Sequence, residues 1–197
     1  MDHAAHNKIV SFIWSIADDC LRDVFVRGKY RDVILPMFVL RRLDCLLEPT
    51  KKAVREEVQD QRENFKLTEL DAGGLREVTG YVFYNTSEWT LKSLLGNPSQ
   101  LESNMDAYLS GFSDNVKEII KNFDLRTQVR KMIAADVLFD VIEKYVAEDI
   151  NLTPQEKRGA DGRVQPGLSN LGMGYVFEEL IRKFNEENNE EAGEHFT

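Results

Sequence analysis

The chain has little of what most often carries catalysis or braces a small fold: its 197 residues include two cysteines, three histidines and five prolines. Cys20 and Cys45 show no CxxC spacing and lie among apolar residues, which predicts reduced, buried thiols rather than a disulfide or a metal pair. His3 and His6 are spaced like two ligands on one helix, but no HExxH glutamate accompanies them. His195 is the only other histidine, so a Ser-His-Asp or Cys-His site would have to be built on the last three residues. Nucleophilic catalysis and a zinc centre are therefore poor readings. Long hydrophobic runs are missing too. The longest is Val33 to Leu40, closed by Arg41-Arg42, against the roughly 20 residues of a membrane helix. Met1-Asp2-His3 has no basic region, apolar stretch or small-residue cleavage site, so the expectation is a cytoplasmic protein with no membrane contact.

What is present is ordinary for a folded domain: 42% hydrophobic and 30% charged residues. A globule of this length buries about 70% of its unfolded surface, enough for a real core. The net charge of −9 argues, taken whole, against a nucleic-acid partner. It is unevenly spread. Between Cys20 and Arg55, nine basic residues (Arg22, Arg27, Lys29, Arg31, Arg41, Arg42, Lys51, Lys52, Arg55) face four acidic ones, giving +5, and the rest of the chain carries −14. Two readings stay open: faces that solvate amphipathic helices, or opposed patches for a partner or DNA. Those flanking Leu40 and Leu43 could instead pair with Asp44 or Glu48.

The periodicity is helical almost throughout. Ile9, Phe12, Ile13, Ile16, Cys20 and Val24 follow i, i+3, i+4 spacing up to Gly28. A second long helix starts near Arg31, with Pro36 near its first turns, and Pro49 breaks it before Lys51 to Val58. The β-branched and aromatic run Tyr81 to Asn85 suits one short strand or extended segment. Ser99 and Glu102 have capping-box spacing, Ser113 can cap the next helix, and Thr153-Pro154-Gln155-Glu156 has the form of a helix start. Residues 157 to 167, with Gly159, Gly162 and Pro166-Gly167, form the best loop and the expected boundary. Gly172-Met173-Gly174 lacks a preceding strand and a third glycine, so a close helix contact is the better reading than a dinucleotide loop. The expected fold is mainly α, a multi-helix, bundle-like domain of seven or eight helices plus a trailing one, with at most one short β segment near 81–85.

The C-terminal stretch Asn170-Leu171-Gly172-Met173-Gly174-Tyr175-Val176-Phe177-Glu178-Glu179-Leu180-Ile181-Arg182-Lys183-Phe184-Asn185, with Ala192 to Thr197, closely resembles the start of the catalytic domain in modification (HsdM-type) subunits of type I restriction-modification systems. Tyr30 to Asp44, and Leu46-Leu47-Glu48-Pro49-Thr50-Lys51, resemble that family's helical N-terminal domain. The resemblance implies residues 1–166 as the helical domain and 167–197 as the first helix and cofactor-motif start of a truncated methyltransferase domain. It implies an adenine-N6 DNA methyltransferase using S-adenosylmethionine, with Glu194, Phe196 and Thr197 in the motif beside the cofactor's methionine end. The glycine-rich cofactor loop and the Asn-Pro-Pro-aromatic motif are absent, so these 197 residues alone are expected neither to methylate nor to bind the cofactor. Implied partners are a specificity subunit, a second modification subunit, a restriction subunit and double-stranded DNA. Arg27, Lys29, Arg31, Arg41, Arg42, Lys51, Lys52 and Arg55 are the candidates for phosphate contact. The alternative is a stand-alone helical protein-interaction module; an independent DNA-binding protein is weaker, given the overall acidity.

Overall fold

The longest apolar run of the sequence becomes the middle of a helix, α2 (Arg31–Leu47), in which every residue from Val33 to Phe38 is buried. The computed structural model describes residues 3–196, with side chains described for 3–190; Met1, Asp2 and Thr197 lie outside the described residues. Before α2 come α1 (His3–Ile16), a π-helical turn over Ala17–Leu21 and a 3-10 turn at Arg27–Lys29. The first helix thus stops at Leu21, earlier than its apolar spacing implied, and Val26 is already extended. Pro49 acts as expected: a 3-10 turn at Glu48–Thr50 separates α2 from α3 (Lys51–Glu63). Then follow α4 (Ala72–Thr79), α5 (Leu91–Leu94), α6 (Leu101–Ser110), α7 (Asp114–Asn122), α8 (Leu125–Ala134), α9 (Leu138–Val146) and α10 (Asn170–Phe196).

α2 packs against α1, α8, α9 and α10, and α3 pairs with α4 to one side. α1 turns Ile9, Val10, Ile13 and Ile16 inward, and α10 answers with Val176, Leu180 and Phe184. Trp14 and Phe184 meet at 4.7 Å between ring centroids, with the Lys183 ammonium 5.5 Å from the Trp14 ring. A single apolar core runs through α10 and its preceding Leu168.

The fold is mainly α, but its β structure lies elsewhere than at 81–85. That segment pairs only through an isolated bridge between Asn85 and Phe112, while Tyr81 stacks on Phe83 at 5.1 Å. The ladder forms inside the expected loop, where β1 (Lys157–Arg158) pairs antiparallel with β2 (Val164–Gln165). Gly162, at φ 79°, allows the turn between them. Thr153 starts no helix: its N–H and hydroxyl both bond Asn151 Oδ1 in a tight turn. The buried Asn151 amide also donates to the carbonyls of Gln155 and Pro166, pinning the loop closed. Ser99 caps nothing, because Pro98 opens a 3-10 turn and the Ser99 hydroxyl donates to Asn97. Ser113 does precede α7, but its hydroxyl donates to Asn115 Oδ1 instead of accepting from the helix. The capping box belongs to Thr90 and Ser93.

Candidate functional site

The eight candidate cations fall into three groups. Arg27, Lys29 and Arg31 sit at the corner before α2, where Arg27 pairs with Glu187 and Arg31 Nη1 donates to Asn185 Oδ1 at 3.0 Å. These contacts hold α10 against the corner. Lys29 lies 4.0 Å from Asp32 and is solvated.

Arg41 and Arg42 turn inward. Arg41 Nη1 donates to Asp44 Oδ2 at 2.6 Å, one of the two pairings open to it from sequence. Asp44 Oδ1 accepts from Tyr108 OH at 3.0 Å and from Leu91 N–H at 3.1 Å, so all of its neighbours are donors. Burial nevertheless pushes its carboxyl above the usual range, against the opposing pull of Arg41 and the hydrogen bonds. Arg42 is 4% exposed and gives its Nη1 to the carbonyls of Leu152 and Leu168, both at 2.8 Å. Burial and these acceptors take Arg42 out of reach of any phosphate at the surface.

Lys51, Lys52 and Arg55 line a groove of about 850 Å³ between α3 and residues 86–88. Lys51 opens α3 and Lys52 follows it, where a helix N-terminus already favours anions. Lys52 and Arg55 approach Glu56 and Glu88 only to 3.9 Å and stay largely in solvent. Lys51 differs from both. Its Nζ donates to Asn85 Oδ1 at 3.1 Å and to Ser87 Oγ at 3.4 Å, and among the described residues it has no carboxylate partner. Burial lowers its ammonium from 10.5 to about 8. Asn85 is itself fixed from behind, since its Nδ2 donates to the Tyr108 carbonyl at 2.8 Å. Gly111 makes room for this: a Cβ there would lie 2.7 Å from Ser87 N and 2.9 Å from Asn85 Oδ1. No pattern in the sequence pointed to Asn85 and Ser87, which sit beside an aromatic run, nor to Arg62 on the same groove. Four glutamates, Glu48, Glu56, Glu63 and Glu88, share the walls with these cations, so the groove is mixed in charge.

Burial raises both thiols to about 11, which keeps Cys20 and Cys45 unreactive near neutral pH. His3 and His6 lie beside the Tyr175 ring, each at 5.3 Å. Gly172 is the close helix contact its sequence suggested, for a Cβ there would meet His6 Nε2 at 2.8 Å. Glu194 and Phe196 continue α10 as helical backbone; their side chains, and Thr197, lie outside the described residues.

With this geometry in place, comparison with known families gives one match: the family model described as HsdM N-terminal domain aligns with residues 9–145. The chain belongs to this family. Neither the curated proteins nor the solved structures contain a match. The matched span of this HsdM N-terminal domain runs from the middle of α1 to the end of α9, and takes in the Asp44 network and the α3 groove. It ends before the hairpin and α10, whose first half completes the core of the matched helices.

Proposed function

We propose that this domain is the positioning part of a site-specific DNA methyltransferase that transfers a methyl group to adenine N6. The observation that carries this reading is the match of residues 9–145 to the HsdM N-terminal domain, on a mainly helical fold. Adenine N6 is a poor nucleophile held inside the base stack, so such an enzyme must extrude the base and align it with the methyl donor. S-adenosylmethionine would supply the methyl group. The described side chains form no cradle for it, and residues 193–196 are helical backbone. The contribution of this domain is to hold neighbours in place: α10 is fastened at Asn170 by Arg42 and near Glu187 by Arg27 and Arg31, so whatever α10 joins is set at a fixed angle.

The domain is proposed to act in the cytoplasm beside a specificity subunit, a second modification subunit and, in the complete complex, a restriction subunit. Residues 1–166 are proposed as the helical domain proper and 167–197 as the start of the catalytic one. Of the eight cations, Lys51, Lys52 and Arg55 are the three retained for phosphate contact, because they share one groove at the start of α3 and none is locked to a carboxylate at hydrogen-bond distance. The test uses a modification subunit carrying this domain, assembled with its specificity subunit. N6-methyladenine should form in duplex DNA only with S-adenosylmethionine. Replacing all three cations by alanine should flatten the log–log salt dependence of DNA binding by about 0.9 for each phosphate that is no longer neutralised. An unchanged slope removes the groove from the DNA surface.

A further inference from the structure

The first turn of α10 gathers positive charge that no described residue offsets. Ser169 Oγ accepts from Gly172 N–H at 3.0 Å, which leaves the N–H groups of Asn170 and Leu171 without helical acceptors at the positive end of a helix of 27 residues. Arg42 adds a full charge at the same turn. Its Nη2 donates to Asn170 Oδ1 at 3.2 Å, its Nη1 to the Leu168 carbonyl, and its Nε is buried without a partner. Among the described residues no carboxylate pairs with this guanidinium, and burial lowers its pKa. A buried cation beside a positive helix end is unfavourable until an anion joins them.

A cavity of about 320 Å³ opens at this turn, with His6, Ile9, Pro166, Leu168, Ser169 and Leu171 among its walls. His6 is 8% exposed; its Nε2 edge sits against Gly172 and its Nδ1 has no hydrogen-bond partner. The buried imidazole and the helix end are independent features of one cavity, and both ask for a polar ligand atom. The remaining walls are mostly apolar. The volume has room for roughly ten non-hydrogen atoms, at the ~30 Å³ a water occupies in the liquid.

We propose that this cavity binds a small carboxylate with an apolar body, its carboxylate at the first turn of α10 and at His6 Nδ1, its body against Ile9, Pro166 and Leu168. This site stands apart from the methyltransferase reading and does not depend on it.

Benzoate is a suitable probe, with methyl benzoate as the uncharged control, titrated into the 197-residue chain while backbone amide and histidine ring resonances are followed by NMR. Benzoate should produce saturable shifts at Ser169 to Gly172 and at His6, and methyl benzoate should not. His6→Phe keeps a ring beside Tyr175 but removes Nδ1, and should weaken binding roughly tenfold. Leu171→Trp, at a position 72% exposed, should obstruct the mouth without disturbing the core, and serves if the histidine variant does not fold. Absence of saturable shifts at the α10 turn, an equal response to the methyl ester, or unchanged binding in both variants would overturn the proposal.

Discussion

Asp44 is a carboxylate with an arginine on one oxygen and a phenol and a backbone amide on the other, all of them nearly out of water. Removing it strands Arg41 and leaves the Tyr108 hydroxyl and Leu91 N–H without their acceptor, so Asp44→Ala should cost about 3–5 kcal/mol in urea denaturation. Lys51 carries a pH dependence of the opposite kind, since it has no countercharge. Folded, it releases its proton near 8; unfolded, near 10.5. Between those values the unfolded chain binds more protons, so the unfolding free energy contributed at this site rises as pH climbs through the window, and the full desolvation cost remains below it. Lys51→Met should abolish that rise, measured by denaturation at neutral pH and across the window. In the sequence, the Arg41 and Asp44 spacing was legible as a possible ion pair. Tyr108 and Leu91 were not, because they come from 64 and 47 residues further along and nothing local requires them.

Two glycines one residue apart on α10 make the clearest case at the scale of elements. Gly172 faces α1, where a Cβ would meet His6 Nε2 at 2.8 Å and Leu168 Cδ1 at 2.9 Å, whereas Gly174 has nothing within 4 Å. Gly174→Ala should therefore stabilise the chain by up to about 1 kcal/mol through helix propensity. Gly172→Ala should destabilise it by about 1–3 kcal/mol through overpacking. Paired thermal melts would show the two midpoints moving apart. Helix faces such as Ile9, Ile13 and Ile16 were readable because their periodicity is local. The strand expected at 81–85 failed because strand propensity needs a partner strand: Asn85 reaches only Phe112, and Tyr81 and Phe83 stack on each other. Ser99 had the right spacing to Glu102, but Pro98 set a 3-10 turn that put Leu101 first in α6.

For the whole molecule, the first half of α10 counts as core. Leu168, Val176, Leu180 and Phe184 are each at most 2% exposed. At roughly 2 kcal/mol per buried side chain their sum is about 8 kcal/mol, comparable with the 5–15 kcal/mol that holds a whole domain together. A chain ended at Pro166 should lose cooperative unfolding in calorimetry, and one ended at Glu190 should keep it. The helical class, and the lack of any helix long and apolar enough to cross a membrane among the described residues, agree with what composition implied. The closing of α10 onto α1 could not be read in advance, since each helix shows an apolar stripe and neither names its partner.

That closure also imposes an order in time. α1 leaves the ribosome well before its principal partner, with about 170 residues between Ile9 and Leu180. At roughly 5–20 residues per second, the apolar face of α1 waits on the order of 10–30 s for its cover. During synthesis that face is a hydrophobic strip open to chaperones, and to the same strip on a neighbouring nascent chain.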